Sequence, residues 1–535
     1  MGKTVKANVI ARSLLLGAGI ASSTLSLGVM AAPSGEALVN SKCSACHAPD
    51  AKGVPDRIDA GRRTPEGWDM TVARMSYAHG VKLTAEERST IVKYLADNYG
   101  LAPEETEHHR YILDKTPSVV EHAENQLIAD TCARCHSYGR IAVQRRTEED
   151  WRKLVHFHVG QYPAIEIQAG GRDRNWFEIA TGDATQALGE VYGYESKAWN
   201  QWKAAKAMDP AGKWRVVGHE PGRGAYEGEA AVTRSGDDQY ALKMTLRYQD
   251  GTTDKASGKA IVYTGYEWRA TLDQGKRKVH QVFQLADAGQ ALEGRWYEVD
   301  NDAIGGTMHA VKATAGAQVL STMPQAIKAG TKGVLTINGV GLEGNVSLGD
   351  QIKVGKVVKR SADQVVVEYE APASLNAGAV MVRVGQAKSG DALAAYQQID
   401  SVKVVPEHAM ARVGGGGGPL PKVPAQLEAI AFANGPDGKA GTDDDVRLGA
   451  MPATWRMANL NEVAEKMQDT RFAGELTDTG RFIPAVAGPN PERKYGTNNA
   501  GELKVTATVK DGSREVSGSA PLIVTVQRFN DPTIR

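Results

Sequence analysis

Cysteine is scarce in this chain, four among 535 residues, and all four fall in two pentapeptides, Cys43-Ser44-Ala45-Cys46-His47 and Cys132-Ala133-Arg134-Cys135-His136. If both stretches are committed to one chemistry, no cysteine is left for a disulfide. Charge of one sign is also missing: 63 basic residues balance 63 acidic ones, which removes any bulk electrostatic case for nucleic acid or anionic lipid and leaves docking to local patches. Beyond the N-terminus no apolar run is long enough to suggest a bilayer span. The long stretch after residue 205 contains no nucleophile motif, Rossmann glycine fingerprint or phosphate loop.

What is present is Cys-x-x-Cys-His, twice. Two thiols that form thioethers to porphyrin vinyl groups, next to a histidine that supplies an axial nitrogen, make up the haem c attachment signature. Cys-x-x-Cys alone is also half of a zinc site or a thioredoxin-like redox pair. A zinc site needs further ligands at matching spacing, and a redox pair does not require the following histidine. Two covalent haems are therefore expected, with Cys43, Cys46, Cys132 and Cys135 as attachment sites and His47 and His136 as proximal ligands.

The N-terminus agrees with an exported, periplasmic location. Lys3, Lys6 and Arg12 precede an apolar run that starts at Ser13-Leu14-Leu15-Leu16 and reaches Val29-Met30-Ala31, the form of a secretory signal cut near Ala31. Gly17, Gly19, Ser22, Ser23, Thr24, Ser26 and Gly28 interrupt that run and weaken the alternative of a membrane anchor. The expected mature protein keeps no anchor.

At roughly 100 to 200 residues per domain, the length implies about three to five domains. The N-terminal part is duplicated. Arg63-Thr64-Pro65-Glu66-Gly67-Trp68 aligns with Arg146-Thr147-Glu148-Glu149-Asp150-Trp151, and each copy offers a Thr as helix N-cap, with Pro65 at the first helical position of one and Asp150 placed to fold back on the start of the other. On the helices that follow, Trp68, Val72 and Met75, like Trp151, Val155 and His158, lie at i, i+4 and i+7 and so share one face.

Met75 and His158 occupy equivalent places, which brings a thioether in one copy and an imidazole in the other to the point where a six-coordinate haem needs its distal ligand. Core packing is the alternative role for both. His79, a turn beyond Met75, is the rival at the first haem. His156, about 200° around the helix from His158, is the rival at the second; Met70 lies on the wrong face. His/Met ligation would raise the first potential and bis-His ligation leave the second lower, so electrons would run from second to first.

Thr84-Ala85-Glu86-Glu87 is a capping box, Ile91, Leu95 and Tyr99 form a stripe, and Gly100 with Pro103 ends the first module. The equivalent helix of the second is expected at Thr185 to Tyr192, with Trp199 and Trp202 capping or linking a domain that closes near residue 205. Texture then turns to period-two strands, such as 240–248 and 278–285. The fold expected is multidomain α plus β: a signal peptide over 1–31, an all-α dihaem cytochrome c domain over 32–205 (modules about 32–103 and 118–205), then three all-β domains. These are an antiparallel barrel or sandwich at 210–313, an immunoglobulin-like sandwich at 317–405 with strands near 334–337, 364–369 and 380–384, and a C-terminal domain at 420–535. Gly414 to Gly418 read as a linker or surface loop. Asp437 to Asp445 concentrate carboxylates in a turn-rich segment without EF-hand spacing; a solvated acidic loop is the commoner explanation, and calcium the alternative.

The order of signal peptide, two haem c modules with Trp-bearing helices after each pentapeptide, and three β domains resembles the α subunit of quinohaemoprotein amine dehydrogenase. The specific part runs from Cys43 to His158; the β region adds size and arrangement. The resemblance implies a periplasmic heterotrimer that oxidises primary amines to aldehydes and ammonia, with cysteine tryptophylquinone on a small partner subunit and a β-propeller subunit as third member. This chain would then carry electrons to azurin or a cytochrome c and have no catalytic residue of its own. Two other functions fit a pair of haems. A dihaem cytochrome c peroxidase would need one openable iron site; a free-standing dihaem carrier would use its β domains to bind carbohydrate or a surface partner, with Trp268, Trp296 and Tyr297 as lining, although strand aromatics are more often sheet core.

Overall fold

The computed structural model describes residues 33–49, 55–168, 174–205, 207–416, 418 and 420–526; the expected signal peptide and its cleavage point lie outside them. The first module is built on three helices. Gly35–Cys43 starts where the Ser34 side chain accepts the Ala37 N–H, Pro65–His79 starts at Thr64, which accepts from Gly67, and Ala85–Asn98 carries the full Thr84/Glu87 capping box. The second helix stops at Gly80, whose φ of 76° is the left-handed conformation that glycine adopts without strain. Trp68, Val72, Ile91, Val92, Leu95 and Ala96 make the core.

In the second module Gln126–Cys132, Tyr138–Ala142, Glu148–Gln161 and Asp183–Val191 pack around Ile128, Tyr138, Ile141, Trp151, Leu188 and Tyr192, and Trp176–Thr181 adds a smaller core of Trp176 and Ala180 with Val155 and Ile165. The closing helix thus begins at Asp183, and Tyr192 is its C-cap. Thr147 caps Glu148–Gln161 by accepting the Asp150 N–H. The Asp150 carboxylate does not fold back on the helix start but pairs with Arg146, because a guanidinium one turn away offers a charged donor.

The duplication is visible in hydrogen bonds. Trp68 Nε1 donates to Tyr99 O at 2.8 Å and Trp151 Nε1 to Tyr192 O at 3.2 Å; the Arg63 and Arg146 amides donate to the same two carbonyls. A two-stranded antiparallel ribbon, Gly61–Arg63 with Gln144–Arg146, joins the modules and sets Arg62 opposite Arg145. Lys197–Lys203 follows, with Trp199 buried and Trp202 Nε1 donating to Thr264 O.

The first β domain closes as an eight-stranded antiparallel barrel, from Gly212–Glu220 through Asn301–Lys312, whose first and last strands pair. Its interior is filled by Trp214, Tyr226, Tyr240, Trp268, Phe283 and Trp296. Trp268 Nε1 donates to Gln281 and Trp296 Nε1 to the Tyr226 hydroxyl, so Trp268 and Trp296 are core and do not line a surface site.

In the next domain Lys332–Val340 and Gln364–Glu370 are central strands of a four-stranded sheet, and Val382–Val384 belongs to a three-stranded one; Leu335, Ile337, Val365, Val367, Val382 and Val384 share a core. Ser401–Val405, taken from sequence as the end of this domain, pairs instead with Glu428–Ala433, and Ala409–Arg412 with Arg514–Thr525. Gly414 therefore lies within the last β unit, where it bridges to Val486, in a loop and not in a linker. No helix among the described residues is long and apolar enough to cross a membrane.

Candidate functional site

Each pentapeptide begins on the last residue of a helix, Gly35–Cys43 or Gln126–Cys132. In the first, the Cys46 and His47 amides donate to Cys43 O at 3.1 and 2.9 Å, a tight turn that holds the second cysteine and the histidine just past the helix end. Cys43 and Cys132 are partly buried, and Cys46 and Cys135 are exposed. Burial pushes the Cys43 thiol up, with Cys46 adding to the shift, and burial alone pushes the Cys132 thiol up to about 12.

Three histidines share one arrangement. His47 Nδ1 lies 2.9 Å from Asp56 O, His136 Nδ1 3.0 Å from Ser137 O, and His158 Nδ1 2.7 Å from Leu154 O. A carbonyl only accepts, so the proton sits on Nδ1 in each ring and the Nε2 lone pair is left for a metal. Burial pushes His136 down to about 4, with the charges of Arg140 and His158 acting in the same direction; burial, then Arg140, Arg146 and Arg74, lowers His158 as well. Both shifts favour the neutral ring, the form of imidazole that binds a metal.

Met75 is half-buried on the helix face of Trp68 and Val72. The rivals lie elsewhere: His79 is exposed at the helix end, and His156 is exposed with its ring edge-on to Phe177 at 5.4 Å. Met70 accepts a hydrogen bond from Arg140 at 3.8 Å. The donor set, two thiols and an Nε2 lone pair in each module with a second Nε2 in the second, fits covalently held haem.

Sequence reasoning gave no role to the paired arginines before each Thr cap. Arg62 is fully buried and forks onto Glu105 at 2.8 and 2.9 Å, Arg145 Nε reaches the same carboxylate at 3.2 Å, and Arg63 and Arg146 lie 4.5 and 5.4 Å over Trp68 and Trp151. The signal was available as Arg62-Arg63 and Arg145-Arg146, each directly ahead of its Thr.

Four family models match in succession: the haem-binding domain of the quinohemoprotein amine dehydrogenase α subunit at 33–199, and that subunit's domains II at 208–313, III at 316–397 and IV at 402–534. The chain belongs to the quinohaemoprotein amine dehydrogenase α-subunit family. Comparison with curated proteins gives no significant match. Among solved structures, the designed β-barrel mFAP1 bound to DFHBI is 16% identical over 19% of this chain and 93% of its own (TM-score 0.18). Rv2717c from M. tuberculosis is 14% identical over 30% and 93% (0.14), and the protocadherin GammaB4 extracellular domain is 13% identical over 61% of each chain (0.17). Such low TM-scores carry no functional argument.

For this α subunit, the Asp437–Asp445 segment is a self-closed loop. Asp444 accepts from the Asp437 amide and the Thr442 hydroxyl, Asp437 from the Lys439 amide, and Asp445 from the Gly441 amide. Among the described residues no three His, Cys, Asp or Glu side chains gather as an ion cage.

Proposed function

We propose that this chain is the dihaem electron-transfer subunit of a periplasmic quinohaemoprotein amine dehydrogenase. It holds haem c at Cys43/Cys46 and Cys132/Cys135, with His47 and Met75 as axial ligands of the first iron and His136 and His158 of the second. Haem c supplies one-electron iron chemistry when bound. The residues of this chain fasten it, orient His47, His136 and His158 by giving each Nδ1 proton to a carbonyl, and exclude water with Trp68, Val72, Trp151 and Val155. In this reading amine oxidation to aldehyde and ammonia takes place at cysteine tryptophylquinone on a small partner subunit, a β-propeller subunit completes the heterotrimer, and azurin or a cytochrome c is the acceptor. Domain III is read as immunoglobulin-like.

The observation that carries the reading is the second module, where two half-buried imidazoles, both shifted toward the neutral form, each give the Nδ1 proton to a carbonyl and keep an Nε2 free. Two such donors suit a closed, six-coordinate iron, which favours electron transfer over the open site a peroxidase needs. Native mass spectrometry of the complex purified from the periplasm tests it. The expected result is this chain plus two haems, together with a small internally cross-linked subunit; a colourless mature chain, or a cyanide-binding high-spin haem, would overturn it.

A further inference from the structure

We propose that arginines from both modules form one shared anion pocket for the propionate carboxylates of the two haems, so that each module's arginines tune the other's haem. This rests on the two-haem reading above. Strand alternation sends Arg62 and Arg145 to the Glu105 side of the ribbon, and Arg63 and Arg146 to the side of the tryptophans. Arg74 lies 4.9 Å over the Phe157 ring of the second module, and in return Arg140 donates to Met70 of the first.

Charge does not balance there. Asp150 pairs with Arg146, but among the described residues no carboxylate is in ion-pair contact with Arg63, Arg74 or Arg140, although Arg63 is only 9% exposed. Burial, then Arg146, lower Arg63 against the opposing charge of Asp150, with Arg74 adding to them; burial, then Arg74, lower Arg140 against Tyr162. A buried guanidinium such as Arg63 is costly without an ion-pair partner, and Arg74 and Arg140 add half-buried positive charge, so this face calls for an anion, and a guanidinium fork matches a carboxylate. The haems would bring carboxylates to this place. Arg74 directly precedes Met75, and Phe157, on which Arg74 rests, directly precedes His158, so the cluster borders both distal positions.

The experiment is redox titration of the full haem-loaded chain, with haem content of every variant checked by intact mass. Arg74→Gln, although a first-module change, is expected to lower the midpoint potentials of both haems, because removing a cation favours the ferric state. Arg140→Gln should do the same from the other side, and Arg74→Lys should restore part of the shift. Arg152→Gln, which breaks an outward pair with Glu148, should move neither haem. Two attached haems with unmoved potentials, or a shift confined to the mutated module, overturn the shared pocket. So does a parent protein whose potentials follow added inorganic phosphate at constant ionic strength, since the pocket would then take a free anion. A parent without haem overturns the underlying two-haem reading instead, and mass alone reveals it.

Discussion

At the residue scale the two modules place different side chains at one equivalent position. Met75 and His158 both stand seven residues after a buried tryptophan whose Nε1 donates to the carbonyl of a closing-helix tyrosine. A thioether stabilises ferrous iron more than an imidazole does, so exchange of the two ligands should move the potentials in opposite directions. Met75→His is expected to lower the first potential and His158→Met to raise the second, each on the order of a tenth of a volt within the roughly 0.8 V that axial ligands span. Spectroelectrochemistry of the loaded chain checks both, and potentials that stay in place would remove these residues from the coordination sphere. His156→Ala should leave the spectrum unchanged, because that ring is exposed and edge-on to Phe177.

At the scale of elements, local chemistry was readable where it is local. Thr64, Thr84 and Thr147 cap their helices as their side chains dictate, and the i, i+4, i+7 stripes face inward. The joining ribbon was not readable: Gly61–Arg63 and Gln144–Arg146 are three-residue strands without alternation, made by pairing across the chain, and no periodicity announces that. Nor could the sequence assign Ser401–Val405 to the last domain, since a strand's pattern names its faces but not its neighbour. The ribbon's energetic centre is Glu105, buried and shared by Arg62, Arg145 and the Ser196 hydroxyl. Burial works to raise its carboxyl, yet the Arg62 hydrogen bonds and the charges of Arg145 and Arg62 hold it below the usual range. Glu105→Gln leaves two buried guanidinium groups short of a counter-charge and should cost about 3 to 5 kcal/mol, read as a lower urea midpoint with an unchanged slope.

On the scale of the whole molecule the barrel is the frame on which the haem-binding region is mounted. Trp202 and Asp97 both bond Thr264, Lys93 pairs with Asp238 at 2.8 Å, and Arg295 donates to the carbonyls of Asp114 and Lys115. The strongest link is ionic: barrel Glu267 forks onto Arg110 at 2.9 and 3.1 Å and pairs with Arg269, which also grips Glu66 in the first turn of the Met75 helix. A barrel strand thus holds the helix that carries Met75, the proposed distal ligand. Burial works to raise the Glu267 carboxyl, but the charges and hydrogen bonds of Arg110 and Arg269 hold it down at about 2, against 4.5 for a free glutamate. Because the folded value is depressed, the stabilisation is complete above about pH 4.5 and is lost as the pH falls through about 2. Glu267→Gln should therefore destabilise the protein by about 3 to 5 kcal/mol at neutral pH, while its thermal midpoint converges on the parent's in acid. If the linkage reaches the Met75 helix, the haem spectrum should change in the same variant. A variant that unfolds in parallel with the parent at every pH would show that the barrel and the haem-binding region are held together by their other contacts.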